Sequence, residues 1–104
     1  MNRSLAVTQN DILLFLKENK TFLSDRYHVN KIGLFGSFAR NEQTDQSDID
    51  ILFELDDQAK NIYDLKQDLR SYLSNAFHRS VDLAREKYIK PYALQAITKD
   101  AVYA

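Results

Sequence analysis

The stretch Leu34–Leu55, LFGSFARNEQTDQSDIDILFEL, decides how this sequence folds. Its second half alternates. Ile49, Ile51, Phe53 and Leu55 fall on one face of an extended segment, with Asp48, Asp50, Leu52 and Glu54 on the other. That period of two predicts a β-strand over Asp48–Leu55 with one buried face. Upstream, Val29–Phe35 reads as a second strand, in which Ile32 and Leu34 oppose Gly33 and Phe35. It stops at Gly36-Ser37, a short helical turn follows at Phe38–Asn41, and Asn41–Ser47 is a polar loop.

Helical patterns flank this pair of strands. Thr8, with Asp11 three positions on, is an N-cap with an acidic first turn, and Ile12, Phe15 and Leu16 then recur at helical spacing to about Asn19. A second helical piece, Thr21–Tyr27, buries Phe22 and Leu23. Downstream, Asn61 caps a long helix whose Ile62, Leu65, Leu69, Tyr72, Leu73, Ala76 and Phe77 keep a 3.6-residue period. Ser80–Ala84 is a third strand, with Asp82 facing away from Val81 and Leu83. Pro91 opens a last helix that points Leu94, Ile97 and Val102 inward. The expected class is α/β (α+β): one domain spanning 1–104, built on a small mixed sheet of three or four strands with helices on one side.

Composition excludes several alternatives. Of 104 residues, 44% are hydrophobic and only three are Gly or Pro, which rules out disordered and low-complexity chains. The absence of cysteine removes disulfides and thiolate metal sites and fits a reducing cytoplasm. The opening residues, MNRSLAVTQNDILLFLKENK, carry no targeting signal, and no apolar run reaches the roughly 18 residues of a membrane span. The net charge of −1 argues against a dedicated nucleic-acid binder. That total hides an asymmetry. Positions 41–59 hold seven of the fifteen acids and no Lys or Arg, a charge of −7; the other eight acids against fourteen cations leave +6 elsewhere.

Within the acidic stretch, Asp48 and Asp50 are unusual. Asp is depleted in strands because its side chain competes for backbone hydrogen bonds. Two at i and i+2 on one face stand about 6.5 Å apart at Cα, close enough to share or bridge divalent ions. Asp82 adds a third carboxylate from a neighbouring strand. Such a cluster is costly unless cations neutralise it, and ligands that are all oxygen suit Mg²⁺ or Mn²⁺. Metal-assisted phosphoryl or nucleotidyl transfer uses this arrangement, with two ions clamping the attacking and leaving oxygens. The alternative, acids that merely solubilise a strand edge, does not explain the alternation or the third acid. Gly36-Ser37, a glycine ending a strand just before the acids, lets backbone N–H groups approach a phosphate.

Together these residues resemble a known family. Gly36-Ser37, ten residues, then Asp48-Ile49-Asp50 is the G-S-x10-D-x-D signature of the DNA polymerase β-like nucleotidyltransferase superfamily. The longer string LFGSFARNEQTDQSDIDILFEL resembles its minimal nucleotidyltransferase (MNT) domains over nearly the whole chain. The resemblance implies a polymerase β-like palm fold, with Asp48 and Asp50 holding both metal ions. It implies that Asp82, in SVDLA, holds the catalytic ion and helps deprotonate the acceptor hydroxyl. Gly36 and Ser37 would bind the β,γ-phosphates of the incoming nucleotide, with Arg40 adding phosphate charge. One departure is Asn41, where many members carry Gly; Asn tolerates left-handed angles, so the turn is expected to survive.

A catalytic sheet this small has little surface for gripping an acceptor. Minimal members often pair with HEPN-type toxins, so the resemblance implies an antitoxin that moves AMP from ATP to a toxin tyrosine. Two rivals remain: an enzyme acting on a small hydroxylated compound such as an aminoglycoside, and a non-catalytic antitoxin that works by occlusion. The two histidines, His28 and His78, are expected at surfaces or helix ends, and the six tyrosines are read as packing residues. Arg79, Arg85, Lys87 and Lys90 form a mildly basic stretch, either a solvated face or an attractor of phosphates or an acidic partner. Gly33-x-x-Gly36 is no P-loop, since no Gly-Lys-Ser/Thr follows.

Overall fold

A computed structural model describes residues 7–104; residues 1–6, which bear on the expected lack of a targeting signal, lie outside them. The first helix, α1 (Gln9–Glu18), starts in a capping box. The Asp11 amide donates to Thr8 Oγ1 at 3.1 Å, and the Thr8 amide donates back to the Asp11 carboxylate at 3.0 Å. Helix α2 (Lys20–Tyr27) ends at His28, whose φ of 61° turns the chain into strand β1 (Val29–Phe35). A four-residue helix α3 (Gly36–Ala39) follows directly, beginning two residues earlier than the sequence pattern suggests. Then come β2 (Ile49–Leu55), α4 (Ile62–Phe77), β3 (Val81–Arg85), a 3-10 turn at Glu86–Tyr88, α5 (Pro91–Asp100) and β4 (Val102–Tyr103).

The strands form one mixed sheet in the order β3-β2-β1-β4. β1 runs antiparallel to both β2 and β4, while β2 and β3, joined through α4, are parallel. Ile49, Ile51, Phe53 and Leu55 all enter the main core, as the alternation requires. They meet Ile12 and Leu16 of α1, Leu23 of α2, and Leu69, Leu73 and Phe77 of α4. Burying side chains of this size is worth about 1.5–3 kcal/mol each, which makes this face the principal source of stability.

The opposite face is not bare, contrary to the expectation of helices on one side. Leu52 is fully buried there, outside the main core. Its neighbours in register are Gly33 and Ala84, two small residues, and Gly33 lies next to Tyr103 of β4. A Cβ on Gly33 would sit 2.7 Å from the Tyr103 ring and 2.9 Å from the Val102 carbonyl, so only glycine lets β4 close this edge. Helix α5 packs on β1 and α3 on the same side. Val102 is therefore a strand residue, not a continuation of the last helix. Asn61 does occupy the N-cap position of α4, but its φ of 51° turns the side chain out of capping reach, and no cap hydrogen bond forms. Of the tyrosines, Tyr27 and Tyr72 pack in an aromatic group with Phe15, Phe22 and Phe77, and Tyr103 packs on Gly33; Tyr63, Tyr88 and Tyr92 are more than 70% exposed.

A charged lattice closes the far end of this second face. Glu54 accepts from the Arg85 guanidinium at 3.0 Å and from the Lys87 amide at 2.6 Å. Burial alone would raise the Glu54 carboxyl, but the Lys87 and Arg85 hydrogen bonds outweigh it and hold the group below its ordinary value of 4.5. A depressed folded-state value means stability that is present above pH 4.5 and lost as the pH falls through the folded value. Glu54→Gln is therefore expected to cost about 1.5–3 kcal/mol at neutral pH, the worth of hydrogen bonds to a charged group. In urea titrations the two proteins should converge in acid, where wild-type Glu54 is itself protonated.

Candidate active site

Strand register assembles the acidic centre. Phe35 of β1, Asp50 of β2 and Asp82 of β3 are consecutive partners across the sheet, and Gly36-Ser37 continues β1 from the end of that row. Asp48 stands one residue ahead of β2, on the Asp50 side of the pleat. Three of the residues singled out in the sequence thus meet at one end of one face, with Gly36 against them. A Cβ on Gly36 would overlap the Asp50 carboxylate, and the residue's φ of +74° lies in the left-handed region.

Asp50 is half-buried, whereas Asp48 and Asp82 are exposed. Burial pushes the Asp50 carboxyl above its ordinary value, and the charges of Asp82 and Asp48 push it further; Arg40 opposes them. That mutual repulsion is the electrostatic signature of carboxylates that face one another. Among the described residues no three acidic or histidine side chains stand close enough to enclose an ion as they are. The donor set nonetheless fits a hard divalent cation. It is all carboxylate, two of its members are exposed, and the ionised form of the third is disfavoured by burial and by the charges of the other two, which a cation would offset.

Arg40 lies beside this row. Its Nε donates to Glu42 at 3.0 Å, and its Nη1 stands 4.0 Å from Asp100 of α5. With Phe35, Gly36, Ala96 and Ile97, these two residues line a cleft of about 360 Å³ between α3 and α5. Clefts of similar size lie elsewhere, the one around Lys20–Asp25 and Val29–Ile32 among them; the three carboxylates line none of these clefts, and the one beside Arg40 reaches their row only through Phe35 and Gly36.

The loop that delivers Asp48 is held from both ends and by Arg79. Asn41 adopts φ 57°, the left-handed angle expected of it, and the Glu42 amide donates to the Ser37 carbonyl at 2.9 Å. The Ser47 amide donates to the Thr44 carbonyl, and the Thr44 amide donates back to Ser47 Oγ. Arg79, expected either on a solvated basic face or as an attractor of phosphates or an acidic partner, instead donates from Nη1 to the carbonyls of Thr44 (3.1 Å) and Ser47 (2.8 Å), and its guanidinium stacks over Phe38. Gln9 reaches from α1 to the last carbonyls of α3, at Phe38 and Ala39. No local pattern announces either contact, because each spans about thirty residues of sequence.

Comparison with known proteins agrees with this geometry. Residues 16–104 match the family described as nucleotidyltransferase domain. The chain belongs to that family. A Methanocaldococcus jannaschii protein provisionally named a protein adenylyltransferase is 39% identical over 97 residues, covering 92% of this chain and 97% of its own. Among solved structures, one described as a minimal nucleotidyltransferase superposes with a TM-score of 0.76 at 21% identity, covering 95% of this chain and 98% of its own; it shows the shared fold. A chain from a crystal structure of a toxin–antitoxin with AMP-PNP superposes with a TM-score of 0.64 at 26% identity, covering 91% of this chain and 70% of its own. This nucleotidyltransferase is thus an enzyme of mixed α+β fold whose four-stranded sheet is flanked by helices. No helix among the described residues is long and apolar enough to cross a membrane.

Through the Thr44 and Ser47 carbonyls Arg79 holds the loop before Asp48. Arg79→Ala is expected to lower nucleotidyl transfer by about 10–100-fold, the usual cost of losing a group that orients a ligating side chain. The melting temperature should fall as well, since two hydrogen bonds from a charged donor are lost, so transfer is compared where both proteins are folded, and amide exchange at Ser47 should accelerate. Arg79→Lys, which keeps one donor, should recover part of the rate.

Proposed function

We propose that this nucleotidyltransferase moves AMP from ATP to a tyrosine hydroxyl of a HEPN-type partner toxin and thereby serves as its antitoxin. The observation that carries the reading is the register row of Asp50 and Asp82 with Gly36 seated on Asp50. With Asp48 just ahead of β2, three carboxylates then stand at the end of the sheet where the chain passes through the glycine. The relative named a protein adenylyltransferase and the toxin–antitoxin structure with AMP-PNP supply the substrate class by similarity.

In this mechanism Gly36 and Ser37 donate their N–H groups, and Ser37 its hydroxyl, to the β,γ-phosphates. Arg40 faces the same phosphates from the cleft wall. Asp48, Asp50 and Asp82 would hold Mg²⁺, or Mn²⁺ in its place, which when bound neutralises the charge of the triphosphate and of the departing pyrophosphate. The acceptor oxygen attacks the α-phosphorus and the bond from that phosphorus to the bridging oxygen breaks. Pyrophosphate leaves with the electron pair, and the hydroxyl proton passes to the Asp82 carboxylate.

The test incubates the protein with Mg²⁺, ATP and the protein encoded by the neighbouring gene, then weighs that protein by mass spectrometry. An AMP-sized gain that vanishes with Asp48→Asn is expected. Neutralisation of the partner by Asp48→Asn as well as by wild type would instead make this a binding antitoxin. AMP transfer to an aminoglycoside and not to the protein would make it a small-molecule enzyme.

A further inference from the structure

β3 is the outer strand of the sheet, paired with β2 on one side only. The Ile49 amide donates to the Ser80 carbonyl at 2.9 Å, which fixes the direction of every backbone group that follows. In a parallel ladder alternate residues face the same neighbour, so Asp82 and Ala84 turn their backbone towards β2 with Ser80. Val81 and Leu83 turn theirs outward. Among the described residues these outward N–H and C=O groups have no hydrogen-bond partner. Val81 and Leu83 are themselves only 4% and 7% exposed, their side chains lying in the core, and what an unpaired edge of this kind accepts is another extended chain.

The surroundings of the edge specify that chain further. A groove of about 460 Å³ runs beside the C-terminal half of β3, between Ile62 and Lys66 of α4 and Tyr88 and Ile89 at the end of the 3-10 turn. Its charge is one-sided. Of the two cations that line it, Arg85 is tied to Glu54 and Lys66 has no ion-pair partner among the described residues; Lys87 and Lys90, outside the lining but next in the chain around it, have none either. An incoming segment therefore gains by carrying acids. Asp82, on the same strand, presents its exposed side chain to the open face. Residues directly opposite on paired strands bring their Cβ atoms about 4.5–5.5 Å apart, so a side chain facing Asp82 from an added strand lies beside its carboxylate.

We propose that the outer edge of β3 is the acceptor-docking site, where an extended acidic segment of the acceptor protein pairs as a fifth strand and sets its hydroxyl side chain beside Asp82. The inference rests on the transfer reaction proposed above, and it answers how so small a catalytic sheet selects a protein acceptor. The edge supplies backbone pairing, the lysines choose acidic sequence, and the register places the hydroxyl.

The probe is a short peptide alternating glutamate and valine around one central tyrosine, added to the full chain. Two controls replace its glutamates by lysine or N-methylate the backbone nitrogens that would face β3. Without ATP, the glutamate peptide should slow amide exchange at Val81 and Leu83 at least tenfold, and both controls should lose the effect. The double variant Lys66→Glu/Lys87→Glu, with its melting temperature unchanged, should bind the glutamate peptide at least tenfold more weakly. With Mg²⁺ and ATP, the tyrosine should gain AMP. No protection at saturating peptide, or protection indifferent to N-methylation, overturns the proposal. So does protection that grows with protein concentration when no peptide is present, because the edge would then pair with a second copy. AMP transfer to the neighbouring-gene protein with β3 left unprotected would overturn the docking site alone. Protection of β3 without transfer to any acceptor would support the docking site and overturn the reaction.

Discussion

Replacing Asp50 by asparagine is expected to abolish nucleotidyl transfer and at the same time to raise the melting temperature. Asp50 sits between Gly36 and Asp82, half-buried, and its carboxylate is disfavoured first by burial and then by the charges of Asp82 and Asp48. Asparagine keeps the shape and removes the charge, so the apo protein loses a repulsion and gains stability. The same charge is what a divalent cation on the triphosphate would be held by. Its loss forfeits several kcal/mol of transition-state charge stabilisation, or about three orders of magnitude in rate. Thermal melts and transfer assays on one preparation check both halves. A variant that loses activity and stability together would mean that Asp50 is a structural residue and that the repulsion is not felt. Asp82→Asn separates the roles further. Asp82 is exposed, so its replacement relieves its share of the repulsion but no burial and should raise stability less than Asp50→Asn does, while transfer falls.

What the sequence disclosed and what it hid follow from how far apart the interacting residues lie. Strand β2 was legible because its period of two repeats over eight residues, and the Asp48/Asp50 pair rides on that period. The capping box at Thr8 and the proline at the start of α5 are signals within one helical turn, and both stand where expected. Asn41 takes the left-handed angle for which its residue type is suited. By contrast, β4 is two residues long, too short to show any period, and it is held by a contact with Gly33 seventy residues earlier. Without β4, Leu52 looked like an apolar residue on an open face, and helices on one side looked sufficient. Arg79 escaped for the same reason: its partners are backbone carbonyls, which carry no residue signature. The adjacency of Asp82 to Asp50 was inferable from pattern. The rank of the row, with Gly36 closing on Asp50, needed the register.

Gly36→Ala tests that closure, and it is expected to damage stability and activity together. Two independent costs meet at this position. The residue's φ of +74° charges any L-amino acid about 1–2 kcal/mol, because Cβ then crowds the following carbonyl. For a domain of this size each kcal/mol lowers the melting temperature by about 4–8 °C. The second cost is local. The added methyl overlaps the Asp50 carboxylate, so either the turn into α3 opens or the carboxylate swings away. A displacement of about 1 Å at reacting groups is worth roughly 10²-fold in rate. Comparison with Gly33 isolates the site effect. Gly33→Ala must push Tyr103 and β4 away and should cost stability as well, but it leaves the Asp50–Asp82 row untouched. The expected result is therefore two variants of lowered stability, of which only Gly36→Ala loses transfer by about 10²-fold at a temperature where both are folded. Equal loss in both would show that activity tracks global stability, and that the seat of Gly36 on Asp50 has no separate part in the chemistry.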